Sequence, residues 1–163
     1  MSGRDQGSGL LLLSLALGFA LTLMLLPPAL EPARPHWVAL ILIYWNLEAG
    51  RLRDLGPAFI LGLLLDVLTG TLLGQHALGL VVLVFLLERF RNRMRFFPPW
   101  QQAAAVFLLL LNERIIQLWI LLLSGHGWPV WSWWLAPLVA MLFWPWLFLL
   151  FDRLRRRQRQ QRS

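Results

Sequence analysis

The chain has 163 residues, 58% of them hydrophobic and 13% aromatic, with a mean hydropathy of +0.62 and a formal net charge of +7. A helical crossing of a hydrocarbon core takes about 20 residues, so this composition describes an integral membrane protein, and the roughly 40 residues left over by six crossings are too few for a separate domain, which starts near 50. Cysteine is absent, which excludes disulfides, thiolate nucleophiles and cysteine metal sites together.

In chain order the apolar runs predict six crossings, at about 10–27, 36–50, 56–73, 75–90, 99–124 and 130–151, followed by a basic tail at 152–163. The first run follows Arg4 as a signal peptide would. Its apolar core is longer than the ~7 to 15 residues of such a segment, and no small-x-small cleavage site precedes Pro27-Pro28, so it is read as a span. The second opens at Pro35, which suits a first helical turn, and is the shortest. Between residues 115 and 151 there is no Asp, Glu or Arg, and that stretch is too long for one crossing. Ser124-Gly125-His126-Gly127-Trp128-Pro129 is therefore expected to turn the chain. Trp128, Trp131, Trp133 and Trp134 at one end of the sixth span, and Trp144 and Trp146 at the other, are expected at the two membrane interfaces.

Arginine placement checks this segmentation. Arg4, then Arg51 and Arg53, then Arg89, Arg91, Arg93 and Arg95, then Arg153, Arg155, Arg156, Arg157, Arg159 and Arg162 all fall on one side, leaving only Arg34 opposite and Arg114 inside a span. The positive-inside rule then puts both termini in the cytoplasm and makes the chain a multi-pass, all-α, single-domain bundle. Juxtamembrane arginines also account for the net charge, so nucleic acid is not expected as a partner. The tail is expected to lie on anionic lipid.

Asp66 stands in an uncharged stretch, and a carboxylate at bilayer depth is tied to a specific partner or task. Gly62, Asp66, Gly70 and Gly74 recur every fourth residue, flanked by Phe59 and Thr69, and small residues at that spacing let another helix approach closely. This stripe is expected to serve helix packing or a partner. In the fifth span Asn112, Glu113, Arg114 and Gln117 lie together. Arginine cannot shed its proton, so a buried Asp66 to Arg114 pair is predicted, with Glu113 facing elsewhere. Glu48 and Glu88 read as interfacial carboxylates. His36, His76 and His126 fall in outward loops without an accompanying carboxylate motif, so no metal site is assigned. No catalytic or phosphate-binding signature appears, and neither an enzyme nor a cofactor is expected.

The order Pro35-x-Trp37, Tyr44-Trp45, Phe59-x-x-Gly62-Leu63-x-x-Asp66-x-x-x-Gly70-x-x-Leu73-Gly74-x-x-Ala77-Leu78, Trp100-Gln101-Gln102 and Trp144-Pro145-Trp146 resembles the MreD family of rod shape-determining proteins over about 35–155. The resemblance implies a small non-enzymatic subunit of the bacterial elongation machinery. It would bind the bitopic MreC directly, alongside MreB, RodA and its penicillin-binding transpeptidase, so that side-wall peptidoglycan is laid down as a rod. It also implies a fold similar to the substrate-capture subunits of energy-coupling-factor transporters. A small-molecule transporter with Asp66, Glu113, Arg114 and Gln117 lining a cavity is the competing reading.

Overall fold

A computed structural model of the protein describes residues 3–49 and 54–160. Six helices follow one another: α1 (Gly3–Leu23), α2 (Trp37–Tyr44), α3 (Leu55–Thr69), α4 (Gln75–Met94), α5 (Pro99–Leu123) and α6 (Leu135–Gln160). Short 3-10 segments stand at Glu31–Ala33 and Trp131–Trp134, and no strand occurs among the described residues. Arg51, Arg53 and Arg162 of the expected basic loops lie outside the described residues, as do the side chains of Arg4 and Arg159.

The centre of the bundle is α2, the segment whose brevity made it the weakest of the expected crossings. Every residue from Val38 to Tyr44 is buried, and the helix continues through a π-helical turn, Trp45–Ala49, in which Trp45 and Leu47 are buried too. A helix apolar on all sides has no polar face to offer water and is stable only when surrounded. Here α1, α4, α5 and α6 surround it, while α3 stands further out and packs mainly on α4. Tyr44 meets Phe148 and Phe151 of α6, and Trp45 donates through Nε1 to Ser14 Oγ of α1 at 2.8 Å. The eight residues of α2 and five of its π turn rise about 20 Å, against a hydrocarbon core of about 30 Å. The central rod is thus too short to fill the bundle from end to end.

Several boundaries differ from the sequence expectation, each for a local reason. Helix α1 stops at Leu23, four residues before the prolines, because the Arg34 guanidinium donates to Thr22 O and Met24 O and so satisfies carbonyls that a helix end leaves open. Helix α3 stops at Thr69 rather than near 73, since Gly70 adopts the left-handed conformation that terminates helices. Helix α4 runs on to Met94, so Arg89, Arg91 and Arg93 are helical rather than in a loop. Arg91 is buried and donates through Nε to Asn46 O at 2.9 Å, fastening the inner end of the central helix. Arg153, Arg155, Arg156, Arg157 and Arg159 of the expected tail ride on the last turns of α6. Trp144 is not interfacial: it is fully buried against Phe148, whereas Trp146 is 77% exposed.

The outside of the bundle is as apolar as the inside. Leu12, Leu17, Ile60, Val67, Leu108, Trp119 and Leu142 are all exposed, an amount of apolar surface that a soluble monomer does not present. Two helical stretches, Pro99–Leu123 and Trp131–Arg157, are long and apolar enough to cross a membrane.

The tightest helix contact joins α3 to α4. A Cβ added at Gly62 would lie 2.2 Å from Ala77 Cα and 2.5 Å from Ala77 N, so this glycine is the reason the two backbones touch. Gly62→Ala is predicted to destabilise the fold by about 1–3 kcal/mol, the usual cost of overpacking. Gly56→Ala, where an added Cβ meets nothing within 4 Å, should be neutral or stabilising by up to about 1 kcal/mol. Thermal unfolding of the two variants in detergent measures the contrast, and equal melting temperatures would contradict it.

Candidate polar site at one end of the bundle

The turn between α3 and α4 is built around Asp66. Gly70 (φ 67°) ends α3 and Gly74 (φ 98°) begins α4, both in the left-handed region that glycine enters without strain. The carboxylate accepts from Gly74 N at Oδ2 (2.8 Å), and from His76 N (2.8 Å), His76 Nδ1 (2.8 Å) and Thr71 Oγ1 (3.0 Å) at Oδ1; Ala77 N reaches Oδ2 at 3.5 Å. Asp66 therefore caps the amino end of α4 from across the turn. A carboxylate there satisfies amides that no helical carbonyl reaches and meets the positive end of the helix dipole. The four-residue stripe is explained without a partner: Gly62 admits α4, Asp66 closes it, and Gly70 and Gly74 shape the turn. Phe59, the remaining member of that set, is exposed on the outer side of α3.

A second carboxylate holds a second histidine. Glu113 of α5, 2% exposed, lies 2.8 and 2.9 Å from His36 Nδ1 and accepts from Gln117 Nε2 at 3.1 Å. Room for it is made by Gly79 of α4, where a Cβ would come within 2.9 Å of Glu113 Cγ. The His36 and His76 rings meet edge to face, with centroids 5.4 Å apart. Since a carboxylate only accepts, Nδ1 of each ring carries the proton, which leaves each Nε2 as an acceptor in the neutral form. Nε2 of His36 is buried and has no hydrogen-bond partner.

The predicted Asp66 to Arg114 pair does not form. Arg114 instead lies over the Trp133 ring, 4.5 Å from its centroid, and donates to Gln117 Oε1 at 3.4 Å. The physical reason is that Asp66 already has its acceptor sites filled by the α4 end, and that it lies three residues from the end of α3, not at mid-helix. Asn112 is half-buried beside this group, its Nδ2 without a partner. Signals for the two histidine contacts were present but subtle: Asp66 and His76 are joined by a turn with two glycines, and Pro35-His36 opens the central helix. Such long-range pairs need the topology as well as the residues.

Above the short central helix lies a cavity of about 430 Å³, lined among others by Arg34, His36, Gln75, His76, Arg114 and Trp133. Among the described residues no group of three or more His, Cys, Asp or Glu is arranged to hold a metal ion. At the opposite end, Glu48, Arg95, Asp152, Arg155 and Arg156 line a second cavity of about 390 Å³, where Arg155 approaches Glu48 (3.6 Å) and Arg156 pairs with Asp152 (2.8 Å). Arg89, Arg93, Arg153 and Arg157 are exposed at this same end.

The two polar groupings yield a double-mutant prediction. His36→Ala and Glu113→Gln should be coupled by about 0.5–3 kcal/mol, as contacting residues are, whereas Asp66→Asn and Arg114→Gln should add to within about 0.5 kcal/mol because they share no partner. Unfolding free energies of the single and double variants decide it, and strong Asp66 to Arg114 coupling would contradict the geometry.

Comparison with known proteins converges on one group. The family model described as MreD, rod shape-determining protein MreD, matches residues 3–154. The chain is 33% identical over 144 residues to the rod shape-determining protein MreD of Haemophilus influenzae, covering 86% of this chain and 87% of that protein. No solved structure matches. With its helices, its Asp66-centred turn and its arginine-rich end in place, the chain belongs to the MreD family of rod shape-determining proteins.

Proposed function

We propose that this protein is a non-enzymatic scaffold of the bacterial cell-elongation complex, crossing the cytoplasmic membrane six times with both termini inside. It binds MreC directly within the membrane and works with MreB, RodA and its penicillin-binding transpeptidase to organise peptidoglycan synthesis for rod shape. Anionic lipid meets its arginine-rich end. The reading rests on family membership over residues 3–154 together with one structural observation: away from the arginine-rich end, Asp66, Glu113 and Gln117 turn inward or cap a neighbouring helix, so lateral apolar faces remain for recognition. Association of membrane helices through such faces relies on close packing rather than on a hydrophobic drive.

The cavity of about 430 Å³ favours a second reading, a small-molecule transporter or a capture subunit like those of energy-coupling-factor transporters. Affinity purification of the tagged full chain from membranes, with and without MreC present, separates the two. The scaffold reading expects MreC to co-purify and a reporter fused to the carboxyl terminus to lie in the cytoplasm. Retention of a small molecule with no MreC, or an external carboxyl terminus, would overturn it.

A further inference from the structure

The cavity at the end of the bundle away from the arginine cluster has an uneven distribution of charge. Its two carboxylate neighbours stand behind the histidines and do not line it: Asp66 is occupied by the start of α4 and Glu113 by His36 and Gln117. Glu31 is the carboxylate on the lining and is exposed. Of the two arginines, Arg34 directs its terminal nitrogens to the carbonyls of Thr22 and Met24 at the end of α1. Arg114 does not. One of its faces rests on Trp133 and one nitrogen on Gln117 at the long distance of 3.4 Å, so most of its five N–H donors have no acceptor among the described residues. The Thr22, Thr69 and Thr71 hydroxyls on the lining already donate to Gly18 O, Leu65 O and Asp66 Oδ1, so the uncommitted donors facing the cavity include those of Arg114 and the Gln75 amide.

A stacked, half-buried guanidinium with open donors suits a planar or tetrahedral oxyanion, which it grips with two parallel hydrogen bonds. The volume falls within the ~300–1,000 Å³ range of ligand pockets. Under the six-crossing topology proposed above, on which this inference rests, this end of the bundle is the outer one, and Arg114 lies nine residues in from the end of α5. We propose that this cavity is a binding site for a phosphate monoester or diester, with Arg114 as the anchoring cation and Trp133 as the plate that holds its guanidinium flat. The site is independent of the lateral faces assigned to MreC.

The phosphate has two possible carriers, and the test separates them. The intact protein is purified in detergent and offered phosphatidylglycerol, followed by native mass spectrometry, and glycerol 3-phosphate, followed by calorimetry. A lipid headgroup site retains phosphatidylglycerol and ignores glycerol 3-phosphate; a soluble-ligand site binds glycerol 3-phosphate saturably. In either case Arg114→Gln weakens binding by about tenfold or more, the loss expected for a charge-assisted hydrogen bond, and Gly56→Ala, away from the cavity lining and from the arginine cluster, leaves it unchanged. Arg114→Lys keeps the cation, guards against misfolding, and should bind at intermediate strength. Failure of wild type to bind both probes, or Arg114→Gln and Arg114→Lys binding like wild type, would overturn the proposal, and neither result touches the MreC measurement.

Discussion

The structure depends on one carboxylate placed at the beginning of a helix. Asp66 is 1% exposed, and at a buried helix start each free amide left without an acceptor costs several kcal/mol. Asp66 supplies acceptors for Gly74 N and His76 N from a different helix, so closing α4 and docking α3 against it are one event. Gly62 makes that docking possible by letting the Ala77 backbone come close. Removing either would do more than delete a contact, because the turn, the cap and the interhelical approach share the same few atoms.

Behind that turn, the short α2 sets the depth of the polar site. Its amino end begins below the ends of its neighbours, so His36 reaches Glu113, ten residues in from the end of the 25-residue α5. The longer helices around it continue past this point, and the space they enclose is the cavity over His36 and His76. Ionisable side chains therefore gather mainly in two places: a histidine and carboxylate cluster at one end, and an arginine and carboxylate cluster at the other. The apolar middle is filled by α2 and by Trp144.

Much of the fold was legible from hydropathy and arginine placement, since all six helices lie where long apolar runs predict them and the arginine-rich segments of α4 and α6 share one end. Helix ends were less legible, because they are decided by single contacts such as Arg34 with the α1 carbonyls. The four-residue glycine spacing was visible, but its meaning was not: the same spacing serves a free helix face and a turn, and only left-handed backbone at Gly70 and Gly74 distinguishes them. Charge matching failed at Asp66 and Arg114 because sequence shows which charges exist and not which hydrogen bonds have already claimed them. Two histidines read as ordinary loop residues proved to join the carboxylates, since position 36 and position 113 are neighbours only once α2 is in the centre.

Helix α6 runs from Leu135 to Gln160, about 39 Å at 1.5 Å per residue, with Pro145 inside it leaving one backbone hydrogen bond unmade beside Trp144. Trp144, buried in the protein, and Arg156, exposed near the carboxyl end, are therefore carried on one continuous helix. A partner that held the basic arm would thus be joined to the interior through about 18 Å of helix.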